Sequence, residues 1–192
     1  MSKIILITGT STGLGAGVAV RAATAGHAVY ASMRNLEKRA GLEAAARAAG
    51  VALTVLPLDL QDSASVAAAV AQVVAAEDRI DVLINNAGVG FVRSTEQATE
   101  QKIQWVLDLN LMGVLRCTKT VMPHMRRARR GHIVTVGSVG GLVGQPFNEI
   151  YCAAEFEAEG YMEAMASSIT PKFGINFTTV EPGGIRSDSS RT

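Results

Sequence analysis

The feature that most restricts how this chain can fold is the alternation of six short β-branched, apolar runs with longer alanine-rich segments. The runs are KIILIT (3–8), AVYASM (28–33), ALTVLPL (52–58), IDVLIN (80–85), HIVTVG (132–137) and INFTTVE (175–181). Most are apolar without strict alternation, the pattern of strands covered on both faces in a parallel sheet. Between them, 13–25, 36–49, 63–77, 99–128 and 149–170 carry helix-forming residues with apolar positions three or four apart. Strand and helix in turn predict a doubly wound α/β domain. At 192 residues the chain suits one such domain. Asp62 or Ser63, and Ser94 or Thr95, are the expected helix caps, while Gly26, Gly50 and Gly131 stand where helices should stop. The polar end, 185–192, is expected to fray.

Several function classes fall away on composition. The net charge is +1, which gives no general basic surface for nucleic acid. The run RRARR (126–130) falls at the end of a predicted helix, where cations complement the dipole, and no aromatic platform accompanies it. His27, His124 and His132 share no metal-ligand spacing, so no metal is expected. Cys117 and Cys152 lie far apart, as reduced thiols of a cytoplasmic protein would. The opening MSKIILITG loses its apolar run at Thr8 and Gly9, too soon for a signal peptide or a membrane span. Trp105 is expected in helix packing or at a subunit contact.

Chemistry enters with TGTSTGLG, directly after the first strand, which places Gly9, Gly13 and Gly15 at a strand-to-helix turn. Such a turn lets the backbone approach a pyrophosphate, and the following helix start offers free N–H groups and a positive dipole end. Thr10, Ser11 and Thr12 are possible hydroxyl donors there. At the end of the second strand an acidic residue would favour NAD, but YASMRN offers Ser32 and Arg34, and a 2′-phosphate would find a cation. Each residue also has a plainer reading. A tight turn needs no ligand, Arg34 could be a solvated surface arginine, and Asn85 and Asn86 could hold a turn. Ser138 could be a loop hydroxyl and Tyr151 a packing residue.

The spacing T-G-x-x-x-G-x-G over Thr8–Gly15 resembles the fingerprint of the short-chain dehydrogenase/reductase (SDR) family. Further matches follow in order along essentially the whole chain. Asp59 in LDL resembles an adenine-contacting aspartate, NNAG (85–88) a sheet-stabilising motif, and Asn110 in LNLMG an active-site asparagine. Ser138 follows the fifth strand, Tyr151 comes thirteen residues later, and PGG (182–184) follows the sixth strand. The resemblance implies a Rossmann-type sheet of strand order 3-2-1-4-5-6 in a single dinucleotide-binding domain over 1–192. It implies cofactor contacts at Gly9, Ser11, Thr12, Gly13, Leu14, Gly15, Arg34, Asp59, Leu60, Asn86, Ala87, Gly88, Pro182 and Gly183, and a catalytic set of Ser138, Tyr151 and Asn110. The implied activity is hydride transfer between a nicotinamide, NADP(H) before NAD(H), and a small ketone, aldehyde or alcohol, in a homodimer or homotetramer. VYASMRNLE and EPGGI look most like steroid- and retinoid-type and related bacterial members. The family pattern runs on past PGG into a substrate-covering segment and a last strand; this chain ends at Thr192, so that strand is expected to be absent and the pocket open on one side.

One position departs from the pattern. In the family a lysine four residues after the tyrosine holds the nicotinamide ribose and lowers the tyrosine pKa; in YCAAE that position is Glu155. The spacing puts both groups on one helix face. A phenol starts near ~10, and only a nearby cation would bring it toward neutral pH. At ~5 Å and an effective dielectric of ~20 a unit charge is worth roughly 3 kcal/mol to the phenolate, so attraction exchanged for repulsion approaches ~6 before screening. A third of that exceeds a tenfold rate loss. The chain is thus expected to be an impaired NADP(H) oxidoreductase or, alternatively, a non-catalytic dinucleotide-binding scaffold or interaction protein.

Overall fold

The computed structural model describes residues 1–185; of the end expected to fray, 185–192, all but Ile185 lies outside them. Six strands, β1 (Ile4–Ile7), β2 (Ala28–Met33), β3 (Thr54–Pro57), β4 (Val82–Asn85), β5 (Gly131–Val136) and β6 (Ile175–Val180), alternate with six helices. The helices are α1 (Gly13–Thr24), α2 (Arg39–Ala48), α3 (Ser63–Glu77), α4 (Glu100–Leu107), α5 (Gly113–Ala128) and α6 (Glu149–Phe173). The sheet is parallel throughout, in the order β3-β2-β1-β4-β5-β6. From β1 the chain winds to one side and from β4 to the other, so a crevice opens where their carboxyl ends diverge, the place where such sheets bind ligands.

Alternating side chains of the strands feed two cores. Ile5, Ile7, Val29 and Ala31 pack with Ala19 and Ala23 of α1 and Leu42 of α2. Ile4, Leu6, Leu56, Leu83 and Ile133 pack with Val66, Val70 and Val73 of α3, Val121 and Met125 of α5, and Met162 of α6. Burial on both faces holds for β1 and nearly all of β2, as their continuous apolar runs require. It does not hold for β6, where Asn176, Thr178 and Val180 are exposed and alternate with residues turned toward α6. Among the described residues no helix is long and apolar enough to cross a membrane.

Local chemistry moves some boundaries. Asp62 caps α3 as expected, accepting from the Ala64 N–H at 2.8 Å. Thr99, rather than Ser94 or Thr95, caps α4; it accepts from Lys102 N–H at 3.3 Å, while 95–97 forms a separate 3₁₀ turn. Residues 36–38 are likewise a 3₁₀ turn ahead of α2, with Asn35 accepting from Glu37 N–H. Gly26 and Gly50 end helices with φ of +83° and +68°. Gly131 does not: Arg129 takes the left-handed position, and Gly131 begins β5 where a β-carbon would collide with Met125. The expected helix 99–128 is interrupted by a π turn at Asp108–Met112.

Candidate active site

The crevice begins at the glycine turn. Gly9 has φ +71° and lies so close to β4's exit that a β-carbon on it would be 2.6 Å from Ala87 Cα. Gly15 faces the Asn86 side chain and the Gly9 carbonyl, with no room for any side chain. Asn86 Nδ2 donates to the Thr8 and Gly9 carbonyls at 2.9 and 3.0 Å, and Thr8 Oγ1 accepts from the Asn86 and Ala87 N–H groups. Asn86 does hold a turn, and the turn it holds is the glycine one. Gly13, with φ +63°, opens α1, whose N-cap Thr12 makes no side-chain cap bond. The first N–H groups of α1 are therefore left for something else. Ser11, Thr12, Leu14 and Gly15 line a cavity of about 370 Å³ with Asn86, Ala87 and Gly88.

Two polar candidates are removed. The Thr10 hydroxyl donates to the Ser32 carbonyl at 3.0 Å and the Ser32 hydroxyl to the Ile7 carbonyl at 3.0 Å, and both side chains are fully buried. They tie β1 to β2 and cannot reach a ligand. Arg34 is exposed and lines a second cavity of about 230 Å³ with Asp59, Leu60, Ala87, Gly88 and Trp105. The two cavities share Gly9, Ser11, Ala87, Gly88 and Val89, so they form one elongated cleft. Asp59 is held by Ser65 at its backbone N–H and accepts from the Gln61 N–H, and Leu60 lies buried against Gly113.

At the far end the π turn presents Asn110. Its Oδ1 accepts from Val89 N–H and its Nδ2 donates to Val89 O, each at 2.9 Å, and Nδ2 also donates to Glu155 Oε1 at 3.1 Å. Ser138 ends the extended stretch after β5 and caps the turn 139–141, accepting from Gly140 N–H at 3.1 Å. Gly140 lets it approach Tyr151: a β-carbon there would meet Tyr151 Cε1 at 3.3 Å and Ser138 Oγ at 3.5 Å. Tyr151, half-buried, and Glu155, 8% exposed, follow one turn apart on α6, and both line the first cavity with Asn110 and Gly137.

Burial pushes the Tyr151 phenol up, Ser138 draws it down, and the Glu155 charge and Cys152 push it up again. Burial also raises Glu155 to about 7, against the hydrogen bond from Asn110 and with help from the Glu181 charge. Glu181 itself lies at about 7, raised by its hydrogen bond with Glu159, by burial, and by the charges of Glu159 and Glu163. Sequence reasoning missed this acidic group, although Glu155, Glu159 and Glu163 at i, i+4 and i+8 were a readable stripe. It also missed Gly137, Val89 and Ile185, which line the cavity. Pro182 and Gly183 line neither cavity; the Pro182 carbonyl instead accepts from Val139 N–H at 3.2 Å, fastening the chain after β6 to the Ser138 turn.

A family model described as short chain dehydrogenase matches residues 3–192. Human 17-beta-hydroxysteroid dehydrogenase type 1 is 41% identical over 188 residues, covering 95% of this chain and 56% of that protein. The 3-ketodihydrosphingosine reductase of Bacteroides thetaiotaomicron is 39% identical over 181 residues, covering 94% of this chain and 63% of that protein. The chain thus spans between half and two thirds of the length of these relatives. A metagenomic short-chain oxidoreductase solved in complex with NADP superposes with a TM-score of 0.88 at 29% identity, covering 97% of this chain and 85% of that one.

Proposed function

The chain belongs to the short-chain dehydrogenase family, and on that premise we propose that it interconverts a ketone or aldehyde and an alcohol with NADP(H), at a rate held down by Glu155. The observation that carries this reading is that the glycine turn and Tyr151 line one cavity, with Ser138, which does not itself line it, set beside Tyr151 across Gly140. A nicotinamide dinucleotide bound there supplies the hydride, or accepts it in the reverse direction. Gly9 and Gly15 line the space its pyrophosphate would occupy, Gly13 turns the chain into α1, and the N–H groups opening α1, with Ser11 and Thr12, would donate to it. Arg34 pairs with a 2′-phosphate, Asp59 and Leu60 take the adenine, and Leu14, Asn86, Ala87 and Gly88 form the walls. Pro182 and Gly183 line neither cavity and act through the Ser138 turn, to which the Pro182 carbonyl is fastened.

During reduction Ser138 donates to the carbonyl oxygen and Tyr151 gives it a proton. That leaves a phenolate, which an ionised Glu155 disfavours and a neutral one tolerates. Asn110 fixes Val89 on one side and Glu155 on the other. Val92, Leu142, Val143 and Phe147 stand exposed on the segments after Gly90 and Ser138, which are joined by Arg93 N–H donating to Phe147 O at 2.7 Å. This supports a bulky apolar substrate. The single domain acts as a homodimer or homotetramer in the cytoplasm, where the buried free thiols of Cys117 and Cys152 are at home.

Glu155 also favours a second reading, a scaffold that binds the dinucleotide and no longer turns over. The full-length polypeptide, assayed with NADPH and a panel of apolar ketones and aldehydes, separates the two. Slow reduction is expected, faster with NADPH than NADH, with the preference reversed by Arg34→Asp and the rate lowered roughly 10²-fold by Tyr151→Phe. NADPH binding with no turnover across the panel would select the scaffold.

A further inference from the structure

The charge of Glu155 has a consequence for the cofactor itself as well as for the tyrosine. Among the described residues lining the larger cavity, Glu155 is the one that carries a formal charge; the rest are glycine, apolar, hydroxyl or amide side chains. Its Oε1 is held by Asn110 Nδ2 at 3.1 Å. Its Oε2 accepts no hydrogen bond among the described residues and faces Gly137, where a β-carbon would lie 3.3 Å away. The neighbouring ionisable groups are Tyr151 on the same helix and Glu181 beyond β6, neither of which brings a positive charge. A carboxylate in this setting is a fixed anion, largely withdrawn from water and facing an end of the cleft that holds no other charged side chain among the described residues.

The oxidised and reduced nicotinamide rings are nearly the same size and shape. They differ by one hydride, and hence by one positive charge, which the oxidised ring carries. Packing cannot tell them apart strongly; a fixed charge can. The ring must lie at the Tyr151 end of the cleft, because the hydride and the phenolic proton go to the two atoms of one carbonyl. We propose that Glu155 makes this cleft select the oxidised, pyridinium form of the dinucleotide over the reduced form. The inference rests on the dinucleotide reading above. A lysine at this position has the opposite bias, so this chain is set to hold the cofactor as hydride acceptor.

The test is equilibrium binding, with no turnover required. Dissociation constants of the oxidised and reduced forms are measured by calorimetry, for the NADP and the NAD pairs separately, at pH 8.5, where a group at about 7 is mostly ionised. Phosphate and adenine contacts are common to both forms and cancel in the ratio. The oxidised form is expected to gain at least tenfold over the reduced form in the native chain relative to Glu155→Gln, which keeps the size and the Asn110 partner and loses the charge. For a two-electron couple, tenfold lowers the potential of the bound cofactor by about 30 mV. Glu155→Lys should carry the ratio further in the same direction as Gln. Glu155→Ala gives the same comparison should the glutamine variant fail to fold. Ratios equal within twofold across the variants, with both forms binding, would overturn the inference and leave the dinucleotide reading intact. Binding of neither form would overturn both.

Discussion

A carboxyl one turn from the tyrosine proposed to transfer the proton opposes its phenolate, yet at Glu155 the fold also opposes the carboxylate. Burial and Glu181 hold it at about 7, against an ordinary 4.5. Near neutral pH a large fraction of Glu155 is therefore protonated, and the penalty on Tyr151 is smaller than the sequence alone suggests. The linkage has a definite sign. Below pH 4.5 the acid is neutral in both folded and unfolded chains and costs the fold no charge burial. Between 4.5 and about 7 the unfolded chain releases the proton while the folded chain keeps it, so stability falls, and above about 7 the loss is complete. That interval corresponds to about 3 kcal/mol. Glu155→Gln, which leaves Asn110, Tyr151 and Glu181 in place, should raise the urea-unfolding free energy by about this much at pH 8 and hardly at all at pH 4. An equal gain at both pH values would show that packing, not ionisation, distinguishes the two side chains.

At the scale of elements, the segment 99–128 shows where sequence reading stops. Its apolar spacing announced a helix, and α4 and α5 are there. The π turn between them inserts a widened loop that carries Asn110 to Val89 and Glu155, and nothing in DLNLM marks it. The cap was missed for a related reason: RSTEQATE holds several hydroxyls that can each accept an N–H, and the choice of Thr99 depends on how α4 packs. Thr10 and Ser32 looked like ligand donors because a hydroxyl's partner is invisible in sequence, whether backbone or phosphate. The same elements carry a prediction about assembly. Met112 in the π turn is 40% exposed and Phe156 on α6 is 46% exposed, while Trp105 is half-buried with Lys102 Nζ 4.8 Å from its ring centroid. Two copies burying these faces around a two-fold axis would form an isologous interface. Sedimentation at micromolar concentration should show a dimer or tetramer that Phe156→Glu weakens; a native monomer would refute this pairing.

For the molecule as a whole, the sheet order was legible because motifs at the carboxyl ends of successive strands arrive in family order, and β1 and β4 meet where Thr8 and Asn86 bond. Glu155's ionisation was not legible, because Glu181, at the opposite end of the last helix–strand unit, helps to set it. Turnover joins all these parts, since it needs the glycine turn, the Ser138 turn, the π turn and α6 in register at once. The central claim is that this assembly is an oxidoreductase limited by one charge. The most direct measurement is NADPH-dependent carbonyl reduction by Glu155→Lys in the full-length polypeptide across pH, beside the native chain and the double variant with Tyr151→Phe. The account predicts a rise of at least tenfold, an optimum shifted to lower pH as the phenol pKa falls, and loss of the gain in the double variant. A lysine variant that folds, binds NADPH and reduces no carbonyl faster than the native chain would contradict it.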